Sequence, residues 1–217
     1  MEAYLAELTR RLVEGLGPGL VGVYLMGSTA MGAHVPGVSD LDVWAVVGGP
    51  VARSRKAALA GRVEHAALPC PARGLELVVA RFGLDGLPVV EMNLDDGSRM
   101  ARHLSLDPGE KPGHWFVLDA AIGRELGRAL AGPPPRRAFP VLPRSAQLAA
   151  VEASLAWHAE HEAEGPNALL NALRGWRYAA EGVWSAKEDA ARWAVARRPE
   201  WAREVAAALT ARGSGAP

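Results

Sequence analysis

The pattern of apolar and polar positions in the first half of the chain alternates between helical and strand-like spacing. Apolar residues recur at helical spacing over residues 2–16, which predicts an amphipathic helix. Short apolar runs rich in β-branched residues predict three strands, Val21 to Met26, Leu41 to Val47 and Leu75 to Phe82. A further helix is expected between the second and third strands, at residues 52–67.

The pattern weakens in the middle of the chain. Residues 91–112 show little periodicity and hold several turn formers, so they are interpreted as irregular or weakly stranded. Helical spacing returns at residues 115–130 and stops at Gly132–Pro135, the most linker-like segment of the sequence. We place a domain boundary shortly after this segment.

The sequence beyond Pro143 is rich in alanine and has a helical pattern throughout. Four helices are predicted, at residues 144–163, 166–181, 186–197 and 199–211. The predicted fold class is therefore α+β. An N-terminal α/β domain with a small mixed sheet, residues 1–142, precedes an all-α helical bundle, residues 143–217.

Charge and cysteine content narrow the classes of function. Lys and Arg number 24 and Asp and Glu number 24, so the chain lacks the positive field that favours nucleic-acid binding, and no nucleic-acid partner is expected. The single cysteine, Cys70, excludes an intrachain disulfide. The N-terminus does not resemble a signal peptide and no apolar run is long enough to span a bilayer. We expect a soluble cytoplasmic protein with no membrane partner, and the sequence leaves its oligomeric state open.

A Gly-Ser turn after the first strand and an Asp-x-Asp sequence at the start of the second are the strongest chemical signal. Side chains two apart on a strand point to the same side, with backbones ~7 Å apart, so Asp40 and Asp42 can converge. Such a carboxylate pair suits Mg²⁺, which binds a few carboxylates together with substrate phosphates. Gly27 allows the backbone to approach a phosphate closely, and Ser28 adds a hydroxyl donor.

A third acid is expected on the neighbouring strand. Glu76 is the only acidic residue in its apolar run, and it is a candidate for the same site. Taken alone, Glu76 could be an exposed acid at a strand edge, and an Asp-x-Asp pair could be a capping or turn feature. The full series of Gly-Ser, Ser-Asp-x-Asp and strand Glu is far more specific than any of its parts.

These residues resemble the motif of the nucleotidyltransferase superfamily, which includes DNA polymerase beta. The sequence is most similar to the streptomycin and spectinomycin adenylyltransferases, over nearly the whole chain. Glu76 lies at the position where that family has its catalytic base, so the resemblance implies this role for Glu76. Residues 167–193 resemble a segment of the family's helical domain. The residues that match the pattern of that segment are Asn167, Arg174, Trp176, Tyr178, Lys187 and Trp193.

The resemblance implies transfer of AMP from MgATP to a hydroxyl of a small molecule, in this family an aminoglycoside-type antibiotic, with release of pyrophosphate. It implies that Asp40 and Asp42 hold Mg²⁺ and that MgATP binds in a cleft between the domains. The triphosphate would be held by Gly27, Ser28, Ser39, Arg174 and Lys187. The alternatives are adenylylation of a protein or another metabolite, and a non-catalytic nucleotide sensor or antitoxin-like protein. GTP or CTP in place of ATP is also left open.

The helical region carries its own pattern. Asn167, Asn171, Arg174 and Tyr178 step by four, three and four residues, which predicts a polar stripe open to a ligand. The sequence from Ser185 to Glu188 has capping-box spacing and places Lys187 in a first helical turn, where a bound anion would favour it. A solvated lysine at a helix end is the alternative. No histidine is assigned a role.

The resemblance also implies an acceptor site. Trp157 and Glu164 would line it, since an aromatic beside acidic groups suits a polycationic aminosugar. The family has Gly-Glu-Trp after its third strand, whereas this chain has Leu94 to Gly97 without a tryptophan. We therefore expect poor modification of streptomycin, and improvement by the substitution Gly97→Trp.

Overall fold

The computed structural model describes residues 1–107 and 112–214. The chain divides into two compact units, Met1–Leu142 and Pro143–Pro217. Over these described ranges, no helix combines the length and the apolar character that crossing a membrane requires.

The first unit contains both strands and helices. Its strands are β1 (Leu20–Leu25), β2 (Leu41–Val47), β3 (Leu75–Phe82), β4 (Pro88–Gly97), β5 (Met100–Ser105) and β6 (Arg128–Ala131). Its helices are α1 (Glu2–Leu16), α2 (Gly27–Ala30), α3 (Arg53–Val63), α4 (Gly113–Leu126) and α5 (Pro135–Ala138).

The strands of the described residues form one mixed sheet of six, in the order β5-β4-β3-β2-β1-β6. Strands β2 and β3 are parallel, and the other neighbouring strands are antiparallel. The segment between β2 and β3 contains α3, and this is the longer crossover connection that a parallel pair needs. The predicted mixed α/β fold is confirmed.

Helices α1 and α3 cover one face of the sheet with leucine. Leu5, Leu8 and Leu12 of α1 are spaced by three and four residues, so they lie on one side of the helix and are buried there. They join Leu59 of α3 and the alternate residues of β2 that begin with Leu41 in one apolar core. Burial of each such side chain stabilises the domain by about 2 kcal/mol.

Aromatic rings pack against the opposite face at one end of the strands. The ring of Phe139, which follows α5, lies edge-on to Tyr24 of β1 and Phe82 of β3, with centroids 5.0 and 5.6 Å away. Its centroid is 5.9 Å from that of Trp44 of β2. This end of the face is therefore closed by apolar packing, whereas its other end carries polar residues.

The second unit consists of helices α6 (Arg144–His161), α7 (Pro166–Glu181), α8 (Lys187–Arg197) and α9 (Ala202–Ser214). Leu170 and Leu173 of α7 pack against alanines of α8 and against Val205 of α9. The small alanine side chains let the helix backbones approach closely. The ring of Trp176 packs edge-on against Trp193, with centroids 4.6 Å apart.

Two segments differ from the sequence prediction. Strands β4 and β5 occupy most of residues 91–112, where irregular or weakly stranded structure was expected. Positions 108–111 of that stretch lie outside the described residues. Helix α4 ends at Leu126, and β6 follows where the helix was expected to continue. In both places pairing with a neighbouring strand outweighs the local pattern.

A buried ion cluster connects β4 to the region of α3. The Glu91 carboxylate accepts hydrogen bonds from Val51 N at 3.2 Å and Arg81 Nε at 2.9 Å, and Lys56 Nζ lies 3.6 Å away. Burial alone would raise the pKa of Glu91. The two hydrogen bonds and the charge of Lys56 outweigh burial and hold that pKa below its ordinary value.

We expect Glu91→Gln to destabilise the protein by about 3 kcal/mol at pH 7, because it leaves the buried Lys56 ammonium without a compensating charge. A lowered folded-state pKa gives stability above the unfolded-state pKa that is lost as the pH falls through the folded value. The difference between variant and wild type should therefore shrink toward about pH 3. Urea unfolding at both pH values measures this.

The exposed Glu2 of α1 provides the control. Glu2→Gln should change the free energy of unfolding by less than about 0.5 kcal/mol at either pH. A Glu91→Gln variant as stable as the wild type at pH 7 would contradict the proposed balance in the cluster.

Candidate functional site

The turn after β1 brings the backbone against an acidic side chain. Gly27 has φ +56°, a conformation that favours glycine. A Cβ at this position would overlap the Asp42 carboxylate. The turn is held at the edge of β2 by the hydrogen bond from Met26 N to Asp42 O at 2.8 Å. Gly27 is therefore required both by its φ angle and by the carboxylate beside it.

The loop between α2 and β2 is closed by Ser39. Its Oγ accepts a hydrogen bond from Val35 N at 3.0 Å, and the residue is buried. Ser28 lies in α2, half-buried beside Gly27. Ser39 therefore helps to close the loop by accepting this hydrogen bond. Its hydroxyl group can also donate a hydrogen bond to an acceptor such as a phosphate oxygen.

Asp40 and Asp42 flank the fully buried Leu41, whose side chain lies in the core under α1 and α3. Alternation along the strand therefore directs the two acids to the opposite face. Arg73 Nη1 lies 3.7 Å from Asp40 Oδ2, and this guanidinium was not identified from the sequence. Both groups are partly exposed, so the ion pair is a weak one.

A row of polar residues crosses the sheet on this face. Asp42 of β2 is directly paired with Glu76 of β3, Glu76 with Asp95 of β4, and Asp95 with His103 of β5. Directly paired residues of neighbouring strands have their Cβ atoms about 5 Å apart. The structure therefore brings the predicted acids Asp42 and Glu76 together, and it adds two residues that the sequence reasoning missed.

Asp95 and His103 were missed because their segments were interpreted as irregular or weakly stranded, without a defined face. In β4 the apolar Met92 and Leu94 alternate with the polar Asn93 and Asp95, which is a strand pattern with one face in the core. That alternation could have identified Asp95 as a residue on the same face as Glu76.

The donor set at this edge fits a hard divalent cation. In the part of the chain that the structure describes, no group of three or more His, Cys, Asp or Glu side chains is arranged to hold a metal ion by itself. Asp40 and Asp42 offer carboxylate oxygens, the ligands that Mg²⁺ prefers, and Mg²⁺ usually completes its shell with water and substrate phosphates. The residues present therefore fit an ion that arrives with a nucleotide.

In the second unit, Lys187 Nζ donates a hydrogen bond to Asn167 Oδ1 at 2.7 Å. Lys187 is the first residue of α8, so it lies in the first helical turn as the sequence predicts. The predicted capping box is wrong, because Ala186 is the N-cap and the buried Ser185 hydroxyl has no hydrogen-bond partner among the described residues. The helix begins one residue later than a Ser185 cap would require.

The predicted polar stripe of α7 is correct for Asn167, Asn171 and Arg174 but not for Tyr178. Arg174 Nη2 donates to Asn171 Oδ1 at 3.1 Å, and Asn171 Nδ2 lies 2.9 Å from His158 Nε2 of α6. Tyr178 is buried and stacked on Trp184 with ring centroids 4.0 Å apart, so it belongs to the packed interior and not to a ligand face. Substantial burial of a tyrosine ring outweighs the polarity of its hydroxyl.

The predicted acceptor residues lie near the end of α6. Trp157 is half-buried and stacked on His161, with ring centroids 4.7 Å apart and planes at 10°. Glu164 is exposed in the turn between α6 and α7. The two residues are thus seven positions apart, on either side of the point where α6 ends at His161.

The proposal to place an aromatic ring at Gly97 is wrong. A Cβ on Gly97 would overlap the backbone of Gly74 and Arg73, which run directly beneath the β4–β5 hairpin. Any larger side chain would therefore push two backbone segments apart. Glycine is present at this position because the two segments approach closely, and the missing tryptophan cannot be restored there.

Comparison with known proteins supports the resemblance. The family described as aminoglycoside adenylyltransferase, C-terminal domain, matches residues 137–215. No curated protein matches the chain at a significant level. The family match covers nearly all of the helical unit, and it confirms the predicted resemblance to these adenylyltransferases.

One solved structure extends the likeness to nearly the whole chain. The spectinomycin adenyltransferase AAD(9) from Enterococcus faecialis, solved with ATP and spectinomycin, aligns with a TM-score of 0.70 at 15% identity, covering 96% of this chain and 88% of that chain. A toxin-antitoxin structure with AMP-PNP aligns with a TM-score of 0.34 at 14% identity, over 73% of this chain and 93% of that chain. A Shewanella oneidensis HEPN toxin in complex with MNT antitoxin gives 0.32 at 13% identity, over 75% and 94%. The first alignment shows a shared fold, which together with the family match supports a nucleotidyltransferase.

We expect Gly97→Ala to destabilise the protein by about 2 kcal/mol, since even one methyl group meets backbone that cannot move aside. Gly49→Ala is the matched control, because a Cβ at Gly49 meets nothing within 4 Å. Urea unfolding of the two variants measures the difference. Equal stability of both variants would contradict the close backbone approach at Gly97.

Proposed function

We propose that this protein transfers AMP from MgATP to a hydroxyl group of a small molecule and releases pyrophosphate. The observation that carries the proposal is the direct pairing of Asp42 with Glu76 across the parallel strands, with the Gly27 turn against the Asp42 carboxylate. A metal-binding acid, a candidate base and a backbone turn able to approach a phosphate thus meet at one edge of the sheet.

We assign the metal to Asp40 and Asp42. When bound, Mg²⁺ neutralises phosphate charge and polarises the phosphoryl group. Asp42 is held for this role because Leu41 and Val43 on either side are fully buried and fix the strand. Arg73 beside Asp40 would balance the negative charge of the acids before the nucleotide binds.

We assign the triphosphate to Gly27, Ser28 and Ser39 of the first domain and to Arg174 and Lys187 of the second. Gly27 has no side chain to keep a phosphate at a distance, and both serines carry hydroxyl donors. Lys187 and Arg174 each donate a hydrogen bond to the amide oxygen of an asparagine of α7, which helps to orient the cation. Arginine and lysine side chains form charge-assisted hydrogen bonds with phosphate oxygens.

Glu76 is assigned as the general base that accepts the proton of the attacking hydroxyl. Its place between Asp42 and Asp95 puts it beside the proposed metal site on one side and a second carboxylate on the other. Attack of the deprotonated oxygen on the α-phosphorus forms the new phosphate ester, and pyrophosphate leaves with the electron pair of the broken P–O bond.

The acceptor class is proposed to be a cationic aminosugar of the antibiotic type. The family match and the shared fold support an acceptor of this general class. Trp157 and Glu164 are assigned to its recognition, because an aromatic face and a carboxylate both attract an ammonium group. Poor modification of streptomycin remains our expectation, since β4 carries Leu94 to Gly97 without an aromatic residue.

An acceptor screen with labelled ATP, Mg²⁺ and purified protein tests the proposal, scored by pyrophosphate release and by the mass of the modified acceptor. Spectinomycin, streptomycin and other aminosugars form one arm, and non-cationic polyols form the other. Glu76→Gln keeps the size of the side chain but is a far weaker base, so kcat should fall by roughly 10²–10⁴ with nearly unchanged MgATP affinity.

Glu152→Gln is the matched control for this substitution, because Glu152 is exposed on α6 and is not part of the proposed site. Its kcat should equal that of the wild type. Full activity of Glu76→Gln would remove Glu76 from the mechanism, and loss of MgATP binding in that variant would make Glu76 primarily a metal ligand.

Alanine substitutions at two glycines with similar backbone angles distinguish the effect of backbone strain from the effect of a displaced site carboxylate. Gly27 and Gly32 both have positive φ, +56° and +70°, so alanine at either position costs about 1 kcal/mol of stability. Only at Gly27 would the added Cβ displace the Asp42 carboxylate, since nothing lies within 4 Å of a Cβ at Gly32. We expect Gly27→Ala to lower AMP transfer by roughly 10²-fold and Gly32→Ala to leave it nearly unchanged, measured by pyrophosphate release at saturating MgATP.

A further inference from the structure

The backbone of Arg73, just before β3, is hydrogen-bonded on both sides. Its N–H donates to Ser39 O at 3.2 Å, and its carbonyl oxygen accepts a hydrogen bond from Arg99 N at 3.2 Å. The carbonyl oxygen of the next residue, Gly74, accepts a hydrogen bond from Leu41 N at 2.9 Å. The Arg73 backbone is therefore fixed between the segment that leads into β2 and the β4–β5 hairpin.

The side chain of Arg73, in contrast, is in contact with solvent. Its Nη1 lies 3.7 Å from Asp40 Oδ2, and the side chains of Arg73 and Asp40 are 47% and 23% exposed. A guanidinium and a carboxylate that are both accessible to water form only a weak ion pair. Arg73 can therefore leave Asp40 at little energetic cost while its backbone stays in place.

The proposed metal and nucleotide would change the preferred partner of Arg73. The guanidinium would be repelled by a divalent cation on the Asp40 carboxylate, because the two charges have the same sign. The phosphate oxygens of MgATP offer a guanidinium two parallel hydrogen bonds, a stronger arrangement than one contact with a carboxylate at 3.7 Å. Both effects favour movement of the Arg73 side chain from Asp40 to the nucleotide.

We propose that Arg73 is a nucleotide-binding residue that pairs with Asp40 in the free protein and with a phosphate of the nucleotide in the complex. The inference rests on the proposed function, in which Asp40 holds Mg²⁺. In the free protein, Arg73 weakens the binding of a divalent cation alone. In the complex, Arg73 stabilises the phosphate, so it favours a metal that arrives together with the nucleotide.

The first test measures Mn²⁺ binding to the nucleotide-free protein by electron paramagnetic resonance. Arg73→Gln keeps a polar side chain but removes the charge, so it should bind Mn²⁺ roughly three- to tenfold more tightly than the wild type. Arg73→Lys keeps the charge and should bind Mn²⁺ as the wild type does. The absence of any gain in Mn²⁺ affinity in Arg73→Gln would overturn the inference.

The second test measures MgATP affinity by calorimetry. Arg73→Gln should weaken MgATP binding roughly three- to tenfold, because it loses charge-assisted hydrogen bonds to phosphate. Arg73→Lys should give an intermediate affinity, because an ammonium group lacks the forked geometry of a guanidinium. Opposite changes for Mn²⁺ and MgATP exclude a general loss of structure, which would weaken both. Unchanged or tighter MgATP binding in Arg73→Gln would overturn the inference.

Arg102 of β5 provides the matched control. Its side chain is 48% exposed and pairs with Glu64, with Nη2 3.0 Å from Oε2. Arg102 precedes His103 on the strand, so alternation places it on the face opposite the row of acids. Arg102→Gln should therefore leave both affinities unchanged. Equal changes in Arg102→Gln and Arg73→Gln would show a general effect of surface charge and overturn the inference.

Asp40→Asn separates this inference from the proposed function. If Asp40→Asn leaves the Mn²⁺ and MgATP affinities unchanged, the assignment of the metal to Asp40 is wrong, and the inference is wrong with it. If Asp40→Asn weakens MgATP binding but Arg73→Gln changes neither affinity, the proposed function stands and the inference is overturned.

Discussion

The register of β2 against β3 is the constraint on which the candidate site depends. Leu41 is paired with Leu75, and both are buried beneath α1 and α3. A slip of either strand by one residue would turn Asp42 or Glu76 into that apolar core, where an uncompensated charge costs several kcal/mol. The packing of leucine on one face thereby holds two carboxylates side by side on the other.

That arrangement has an electrostatic cost. Asp42, Glu76 and Asp95 are consecutive members of one row across the sheet, and like charges in directly paired positions repel. The guanidinium of Arg73 near Asp40 offsets part of this charge. Proteins keep such locally unfavourable groupings mainly where function requires them, which is consistent with the proposed metal and nucleotide.

In the helical domain, neutral amide groups contact two cationic side chains. Asn167 and Asn171 both lie on α7 and present amide oxygens to Lys187 and Arg174. A carboxylate in either place would bind the cation more strongly but would compete with a phosphate for it. An amide gives direction without charge, and the other end of the Asn171 amide lies 2.9 Å from His158 Nε2 of α6.

The sequence by itself determined the elements whose signals are local. The amphipathic spacing of α1, the β-branched runs of β2 and β3, and the glycine and acids around Asp42 were all read from neighbouring residues, because periodicity and turn chemistry act over short distances. Only the tertiary structure decided which residues meet across elements. Asp95 reached Glu76 through strand pairing, Gly97 was required by backbone more than 20 positions away in the chain, and His158 joined Arg174 through a helix crossing. Such contacts depend on register and close packing between distant segments, and the residues beside each position in the sequence carry no signal for them.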